Sequence, residues 1–362
     1  MKTRPNYLNR QKRLADILIS KGLDALLIKK KENIFYLTGS RGEDSLLVAS
    51  RSGIFVVTDA RYSEEYKKSA RNSSVVTTGI KNIHQCVYDI LKKSRAARVG
   101  FEADNLTCSE FTALKKYLRK TRLVPAERLV ESLRIIKDSH EIECIKKACV
   151  YGCQAMSYSL KNLAYSHTEN SLKQKIEGWF LKKGFWPAGF ETIVASGRNS
   201  SMPHALATDK KIRRGEMVVI DLGVRNYGYN SDLTRTVYLG RIERIYSRVY
   251  NVVLDAQKKA IDNIRPGVKA SFIDNISRKY INDKGFGRYF IHSTGHGIGL
   301  ETHEAPGLFG KSNVVLAQGM TMTVEPGIYI PGWGGVRIED VILVTKNGRE
   351  VLTEGTSKAL CR

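Results

Sequence analysis

The sequence lacks the long apolar runs that a membrane-spanning protein needs. No stretch approaches the roughly 20 apolar residues that cross a bilayer. The N-terminus, MKTRPNYLNRQKRLADIL, is basic, but it has no apolar core followed by small residues and so does not resemble a signal peptide. These two absences predict a soluble protein of the cytoplasm.

Cysteine is scarce, with six residues in a chain of 362, and their spacing is not that of a disulfide framework. Cys149 and Cys153 lie four apart on a predicted helix, but no CxxC motif or flanking histidine marks a zinc site there. We therefore predict buried, reduced thiols, which agrees with a cytosolic protein. The six are Cys86, Cys108, Cys144, Cys149, Cys153 and Cys361.

Acidic residues are few relative to basic ones, 36 against 59, and the net charge is +23 at pH 7. Residues 1–130 hold 26 basic and 13 acidic residues, a net of +13, and the rest of the chain carries +10. The basic residues form short clusters without the basic–aromatic pattern of a nucleic-acid surface. A solvated basic surface is the simplest interpretation, and contact with nucleic acid or another polyanion is a speculative alternative.

The length and the 42% of hydrophobic residues predict two folded domains, each with its own core. Residues 1–130 alternate helical and strand patterns and predict a small α/β domain. Residues 131–140 are predicted as a linker, and residues 141–362 pair helices around a mostly antiparallel sheet, an α+β pattern. Within the first domain, Ile34–Gly39 is predicted as the end of a strand followed by a glycine turn.

Two aspartates lie on neighbouring predicted strands of the second domain. Asp221 interrupts the apolar strand that begins at Met217, and Asp232 starts a second strand after the polar turn 226–230. If the strands form a hairpin, the two carboxylates lie side by side and repel each other unless a proton or a cation lies between them. The simpler alternatives are a strand-end cap for Asp221 and an ordinary turn residue for Asp232.

Two glutamates occupy similar positions further along the chain. Glu325 ends the apolar strand that begins at Thr321, and Glu339 shares a strand face with Arg337 two residues before it. Taken alone, Arg337 and Glu339 form an ordinary salt bridge. Four acids at strand positions are nevertheless too many to bury without cations.

Histidines supply the nitrogen donors of the predicted site. Three of the seven fall within twelve residues, and the middle one, His296, lies between two glycines that allow close backbone approach. Together, the four acids and His296 make an oxygen-rich set of ligands. Such a set is typical of a site for Mn²⁺, Co²⁺, Fe²⁺ or Zn²⁺ and is not typical of a structural zinc site. Such a set fits two ions about 4 Å apart that share a water or hydroxide able to attack a carbonyl, which predicts a hydrolase. The set is Asp221, Asp232, His296, Glu325 and Glu339.

Three more histidines are candidates for substrate contacts. His204 follows a loop rich in small polar residues, and His292 and His303 flank His296. Their ring N–H groups can donate hydrogen bonds to a developing oxyanion or to a substrate carboxylate. For His204, an ordinary surface position is an equal alternative.

These motifs resemble the pita-bread metallopeptidases of family M24, and most closely the branch of Xaa-Pro aminopeptidase and Xaa-Pro dipeptidase (prolidase). Upstream segments resemble the creatinase-type N-terminal domain and linker of that branch, so the resemblance covers nearly the whole chain. The C-terminal motifs are Asp232-Leu-Thr-Arg-Thr236, His292-Ser-Thr-Gly-His296-Gly, His303-Glu-Ala-Pro306, Thr323-Val-Glu325-Pro-Gly and Gly335-Val-Arg337-Ile-Glu339. The N-terminal segments are Asn33–Gly39, Asp59–Tyr62 and Leu133–Lys137.

The resemblance implies two divalent ions per subunit, with Mn²⁺ or Co²⁺ ahead of Zn²⁺ or Fe²⁺. Asp221 would bind one ion through both carboxylate oxygens. Asp232 and Glu339 would bridge the two ions. His296 and Glu325 would complete the second ion, and Glu325 would also relay a proton from the bridging water.

The resemblance also implies roles around the ions. His204 and His303 would contact the substrate carbonyl or stabilise the tetrahedral intermediate. Arg337 would orient Glu339 or the substrate, and His292 would line a pocket for proline. The family further implies a homodimer that cleaves the Xaa-Pro bond at the N-terminus of peptides or in dipeptides.

Two other functions share this fold. One is a metal-free, creatinase-like amidinohydrolase, and the other is a non-catalytic pita-bread module that binds a polyanion. The intact set of five ligand residues disfavours both. No motif separates aminopeptidase from dipeptidase, because the loops that limit substrate length have no recognisable pattern.

Overall fold

The computed structural model describes residues 4–41, 44–79 and 82–360. The chain divides into two compact units, Arg4–Arg134 and Ile135–Arg362, which we call the N-terminal and C-terminal units. Within the described ranges, no helix combines the length and the apolar character needed to cross a bilayer.

The N-terminal unit alternates helices with strands. Its helices are α1 (Tyr7–Ser20), α2 (Lys31–Thr38), α3 (Ala60–Ser69), α4 (Ile83–Lys93), α5 (Cys108–Tyr117) and α6 (Glu131–Arg134). Its strands are β1 (Ala25–Ile28), β2 (Ser45–Ser50), β3 (Gly53–Thr58), β4 (Ser74–Thr77), β5 (Arg98–Phe101) and β6 (Arg122–Pro125). They form one sheet in the order β4-β3-β2-β1-β5-β6, in which β1, β5 and β6 are parallel and β2 is antiparallel to β1 and β3.

The prediction of a strand end at Ile34–Gly39 is wrong, because this segment forms most of helix α2. Its apolar residues are buried, and burial on a helix outweighs their intrinsic preference for strands. Glu102 supports the chain just before the helix, since its Oε2 accepts hydrogen bonds from the backbone N–H groups of Lys29 and Lys30, both at 2.8 Å. Gly39 ends the helix with a left-handed φ of 80°.

The C-terminal unit has four long helices and a series of mostly antiparallel strands. The helices are α7 (Ser139–Asn162), α8 (Glu169–Lys182), α9 (Arg244–Asp262) and α10 (Ala270–Asp283). The first strands are β7 (Trp186–Pro187), β8 (Ile193–Ser196), β9 (Met217–Leu222), β10 (Val224–Asn226), β11 (Tyr229–Asn230) and β12 (Leu233–Tyr238). The later strands are β13 (Gly295–Gly297), β14 (Glu304–Leu308), β15 (Thr321–Val324), β16 (Gly327–Ile330), β17 (Gly334–Arg337), β18 (Asp340–Val344) and β19 (Arg349–Val351).

The predicted hairpin after Met217 is present. Strand β9 pairs antiparallel with β12, and Thr234 lies opposite Asp221. The intervening β10 and β11 also pair and close the turn. A second sheet, in the order β14-β13-β15-β18-β19, carries the later motifs. The hydroxyl of Thr236 on β12 donates to the Arg337 carbonyl on β17 at 2.8 Å, which ties the hairpin to the last motif.

The cysteines are only partly as predicted. Each described cysteine is a free thiol, but Cys108 is exposed at the first position of α5 and Cys153 is half-buried. The prediction that all are buried is therefore wrong for these two, while Cys86, Cys144 and Cys149 are buried. Cys361 lies outside the described residues.

Gly295 allows two backbone segments to meet beside the predicted site. A Cβ atom at Gly295 would lie 2.1 Å from the carbonyl oxygen of Thr323, far inside van der Waals contact. The hydroxyl of Thr323 accepts the backbone N–H of His296 at 3.1 Å, so the same close approach fixes the histidine.

We expect Gly295→Ala to lower the free energy of unfolding of the C-terminal unit by about 1–3 kcal/mol or more, because the new methyl group overpacks a rigid backbone contact. All three tryptophans of the chain, Trp179, Trp186 and Trp333, belong to this unit, so their fluorescence during urea unfolding reports on it. Gly348→Ala is the matched control, since nothing lies within 4 Å of its added Cβ. Equal stability of the two variants would contradict the steric argument.

Candidate metal centre

One cavity in the C-terminal unit, of about 310 Å³, is lined by every site residue that the sequence predicts. The residues come from the hairpin, from the loop before β9 and from the later strands, so the fold unites segments that are far apart in the chain. They are His204, Asp221, Asp232, His292, His296, His303, Glu325, Arg337 and Glu339.

Three of these residues form a cluster with the spacing of metal ligands. Asp232, His296 and Glu339 each offer one ligand atom, and the three atoms lie within 4.8 Å of one another. Asp232 immediately precedes β12, His296 is the middle residue of β13, and Glu339 lies between β17 and β18. Because strands and tight connections hold all three, the donor atoms are preorganised.

Glu325 extends this cluster on the side of His296. Its Oε1 lies 3.2 Å from His296 Nε2 and accepts the hydroxyl of Thr323 at 3.0 Å. Burial alone would raise the pKa of Glu325, but the hydrogen bond and charge of His296 outweigh burial and hold the pKa at about 2. Glu325 is therefore a carboxylate at neutral pH.

The orientation of the His296 ring favours a cation at Nε2. Nδ1 lies 3.1 Å from the carbonyl oxygen of Gly297, which can only accept, so Nδ1 carries a proton. Nε2 faces oxygens of Glu325 at 3.2 Å and Asp232 at 3.8 Å. An unprotonated Nε2 would point its lone pair at two carboxylates, and only a proton or a cation removes that repulsion.

Asp221 has a carboxylate oxygen available for a ligand. Its Oδ2 accepts a hydrogen bond from Arg337 Nη2 at 2.6 Å. Its Oδ1 is buried and has no hydrogen-bond partner among the described residues. A buried carboxylate oxygen without a partner is costly, and a divalent cation in the cavity satisfies it.

Arg337 binds Asp221 and not Glu339, so the alternative of an Arg337–Glu339 salt bridge is wrong. Its Nη1 donates to the hydroxyl of Tyr329 at 2.9 Å and to the Pro203 carbonyl at 3.1 Å. Its Nε donates to the hydroxyl of Thr234 at 3.1 Å, and this hydroxyl donates to Glu339 Oε2 at 2.6 Å. Arg337 therefore orients Glu339 through Thr234.

The acids in the middle of the cavity remain uncompensated by protein cations. Burial, followed by the negative charges of neighbouring carboxylates, raises the pKa of both Asp232 and Glu339 well above the usual range. Carboxylates in this situation either take up protons or bind cations. Together with the unpartnered Asp221 oxygen and the His296 orientation, this result shows that the donor set fits divalent metal ions.

The other histidines border this cluster. The rings of His296 and His303 are 4.1 Å apart between centroids, and burial followed by the His296 charge lowers the pKa of His303. His292 Nε2 lies 3.0 Å from the hydroxyl of Tyr329, and burial lowers the pKa of His292. His204 borders the cavity and is exposed, so the substrate contact and the ordinary surface position both stay predictions for this residue.

Several residues of the site were missed by the sequence analysis. Thr234 and Thr323 bind site carboxylates, and both could have been found by strand parity, since each lies two residues from an acid of the site. Tyr329 binds both Arg337 and His292, but its contacts depend on β16 turning back beside β17. The apolar part of the wall includes Phe190, Ile193 and Leu206, which have no local signal in the sequence.

A buried ion pair lies next to His303. Lys137 Nζ is 2.8 Å from Oε1 of Glu304, and both side chains are at most 5% exposed. The contact is electrostatic and not a well-aligned hydrogen bond. The loop just before Glu304 is held by Asn230, whose side-chain Nδ2 donates to the carbonyls of Gly299 and Leu300 at 3.1 and 3.0 Å.

Removing Lys137 takes away the cation that lies beside the buried carboxylate of Glu304. We therefore expect Lys137→Met to lower the free energy of unfolding of the C-terminal unit by about 3–5 kcal/mol, and Lys137→Met with Glu304→Leu to recover most of that loss. Lys146→Met is the matched control, because its pair with Glu350 is largely exposed and is worth at most about 1 kcal/mol. If tryptophan fluorescence in urea gives equal losses for the two lysine variants, the buried pair has no special role.

The fold and the cavity define a class of protein: a hydrolase with a carboxylate-rich centre for divalent metal ions. Residues 143–346 match the profile of metallopeptidase family M24, and residues 10–136 match the creatinase/prolidase N-terminal domain. The chain belongs to metallopeptidase family M24. The prediction of a pita-bread fold with a creatinase-type N-terminal domain is confirmed.

Individual relatives agree with this assignment over nearly their whole length. A Xaa-Pro dipeptidase from Pyrococcus horikoshii is 36% identical over 343 residues, which cover 95% of this chain and 96% of the relative. The structure of a Xaa-Pro dipeptidase from Bacillus anthracis matches with a TM-score of 0.95 at 37% identity, covering 99% of this chain and all (100%) of the other. X-Pro aminopeptidase from Thermotoga maritima matches with a TM-score of 0.89 at 30% identity, covering 98% and 100%.

The comparisons confirm the predicted metallo-exopeptidase and do not favour the two alternatives. Membership in family M24 implies divalent metal ions. The cavity supports this conclusion independently, because its donor set and its unpartnered Asp221 oxygen are features of this chain.

We expect Asp232→Asn and Glu339→Gln to lose most bound metal, because each change replaces a proposed ligand carboxylate. The protein should stay folded, because each change removes a negative charge that repels its neighbours in the absence of ions. Metal content after dialysis, measured by elemental analysis, checks the first part, and thermal unfolding of the metal-free proteins checks the second. Asp209→Asn is a control outside the cavity lining. Full metal content in either site variant would contradict the ligand assignment.

Proposed function

We propose that this protein is a metallo-exopeptidase that hydrolyses the peptide bond before proline, with Xaa-Pro dipeptides as preferred substrates. The observation that carries the proposal is the convergence of three buried carboxylates, the partly buried Glu325 and His296 on one cavity that also holds three further histidines. The relatives named as Xaa-Pro dipeptidases, at 36–37% identity, support the choice of substrate.

Two divalent ions, Mn²⁺ or Co²⁺, would be held by the five donor residues. When bound, the ions supply Lewis acidity, which lowers the pKa of water and polarises a carbonyl group. Zn²⁺ and Fe²⁺ suit the same donors. The donors are Asp221, Asp232, His296, Glu325 and Glu339.

Glu325 is the candidate proton carrier. Its low pKa keeps it ionised, and its contacts with His296 and Thr323 hold its Oε1 in place. A fixed carboxylate can accept a proton from the attacking water and pass it to the leaving imino nitrogen of proline.

His303 and His204 are the candidate donors to the scissile carbonyl. Both line the cavity, and the lowered pKa of His303 keeps its ring neutral near pH 7. A neutral imidazole still donates one N–H hydrogen bond, and a preorganised donor stabilises the charge that develops on the carbonyl oxygen.

The prolyl end of the substrate would lie near His292. The imidazole of His292 is held by Tyr329, whose hydroxyl also accepts from Arg337, and Arg337 in turn binds Asp221. This chain of contacts couples the substrate pocket to the carboxylates. Phe190 and Leu206 add apolar surface that suits a pyrrolidine ring.

We further propose a homodimer in the cytoplasm. The family resemblance supports the dimer. The free thiols of the described cysteines support the location, because thiols stay reduced in the cytosol. Light scattering coupled to size-exclusion chromatography tests the first statement.

Substrate length and metal dependence test the proposal together. With Mn²⁺ or Co²⁺, we expect hydrolysis of Ala-Pro to exceed hydrolysis of Ala-Pro-Ala by about tenfold or more, since each tenfold preference needs only about 1.4 kcal/mol of transition-state binding. Chelation should abolish turnover of both peptides, and the same ions should restore it. Ala-Ala is the control peptide that lacks proline.

Cleavage of Ala-Pro-Ala in preference to Ala-Pro would make the protein an aminopeptidase. Failure to cleave either peptide under every ion, by protein that binds the ions, would overturn the proposal as a whole.

A further inference from the structure

The N-terminal unit has an uneven distribution of charge along its sheet. The parallel strands β1, β5 and β6 begin at one end of the sheet, where the β2–β3 turn also lies, because Ala25 pairs with both Ser50 and Val99. We call this end, formed by residues 21–24, 50–53, 92–98 and 115–122, the basic end. It belongs to the N-terminal unit, whereas the metal centre belongs to the C-terminal unit.

The basic end carries eleven exposed cationic side chains and one carboxylate, that of Asp24. Asp24 accepts the backbone N–H groups of Ala97 and Arg98 at 3.0 and 2.9 Å and lies 3.5 Å from Arg51. The single carboxylate is thus already engaged. The cationic residues are Lys21, Arg51, Lys92, Lys93, Arg95, Arg98, Lys115, Lys116, Arg119, Lys120 and Arg122.

The opposite end of the same sheet is compensated. The cationic residues that follow β1 and β3 form ion pairs with carboxylates: Lys29 with Glu110, Lys30 with Glu131, and Arg61 with Asp59 and Asp44. An excess of positive charge is therefore a property of one end of the sheet and not of the whole surface.

Helix chemistry explains only part of this excess. Lys92 and Lys93 in the last turn of α4, and Lys115 and Lys116 in the last turn of α5, interact favourably with the helix dipoles. Lys21 is the C-cap of α1 and lies at the same kind of helix end. The other six residues are not within the last turn or the C-cap of a helix.

Arg98 and Arg122 stand out among these six, because they are directly paired on the neighbouring strands β5 and β6. Like charges opposite each other destabilise a sheet. Within the described residues, the side chains of Arg119, Lys120 and Arg122 form no ion pair that would offset this repulsion.

We propose that the basic end binds the phosphate backbone of double-stranded nucleic acid without reading its sequence. Arginines and lysines gathered at one end of a sheet are complementary in charge to a phosphate backbone, and the release of counterions drives the association. This surface was not evident from the sequence, because its charges come from four separate segments that only the sheet topology unites.

The apolar surface nearby argues against the other anionic partners. Among the described residues of this unit, the exposed large hydrophobic side chains are Leu8, Ile19 and Tyr117. Tyr117 is engaged by His84 and Asn82, which leaves Ile19 as the apolar neighbour of the basic end. A membrane contact needs a larger apolar face, and single-stranded nucleic acid needs free aromatic rings for stacking.

The test measures binding of a fluorescent duplex of about 20 base pairs by the full-length protein at several salt concentrations. The variant carries Arg98→Gln, Arg119→Gln, Lys120→Gln and Arg122→Gln. We expect it to bind at least about tenfold more weakly. We also expect the slope of log K against log salt to fall by about one for each phosphate that no longer has a cationic side chain beside it.

A matched variant removes the same charge elsewhere, through Lys182→Gln, Lys183→Gln, Lys258→Gln and Lys346→Gln, all exposed in the C-terminal unit. It should bind the duplex like the unchanged protein, and both variants should keep their peptidase activity as a check on folding. Equal weakening in the two variants would overturn the proposal in favour of diffuse charge. Absence of duplex binding, or tighter binding to anionic phosphatidylserine vesicles or single strands than to duplex, would also overturn it.

Discussion

The mutual repulsion of four carboxylates, three buried and one partly buried, is the constraint on which the C-terminal unit depends. Arg337 compensates one of them, Asp221, and His296 compensates another, Glu325. Asp232 and Glu339 remain between these two pairs, and burial with like charge raises the pKa of both. A group of acids in this state either takes up protons or holds cations among its members. Together with the spacing of Asp232, His296 and Glu339 and with membership in family M24, this charge balance identifies the cavity as a centre for divalent metal ions.

The surrounding structure holds these charges in place against their repulsion. Arg337 donates hydrogen bonds to the hydroxyls of Thr234 and Tyr329, and the hydroxyl of Thr234 in turn donates to Glu339. Gly295 brings the His296 backbone against Thr323, which also binds Glu325. Four of the five donors, Asp221, His296, Glu325 and Glu339, therefore have a second contact that fixes their direction, as a preorganised catalytic centre requires.

Strand parity made most of the site predictable. An acid beside or inside an apolar strand has no ordinary explanation, and four such acids with a glycine-flanked histidine point to metal. In the structure, Asp221 lies inside its strand and the other three lie at strand ends or just beyond them. The errors arose where tertiary contacts decide. The sequence predicts a strand face shared by Arg337 and Glu339, but β17 ends at Arg337, and the guanidinium binds Asp221. The apolar segment at Ile34 became helix α2 because its neighbours bury it. The basic end could not be predicted from the sequence either, because the order of the strands brings together segments that are distant in the chain.

Anomalous X-ray scattering from crystals soaked in Mn²⁺ tests the dinuclear centre most directly, because it locates the ions without reference to activity. We expect two peaks in the cavity: one beside Asp221, one beside His296 and Glu325, and both in contact with Asp232 and Glu339. A crystal without a peak in this cavity, or with its manganese bound by other residues, would contradict the assignment of these five residues as metal ligands.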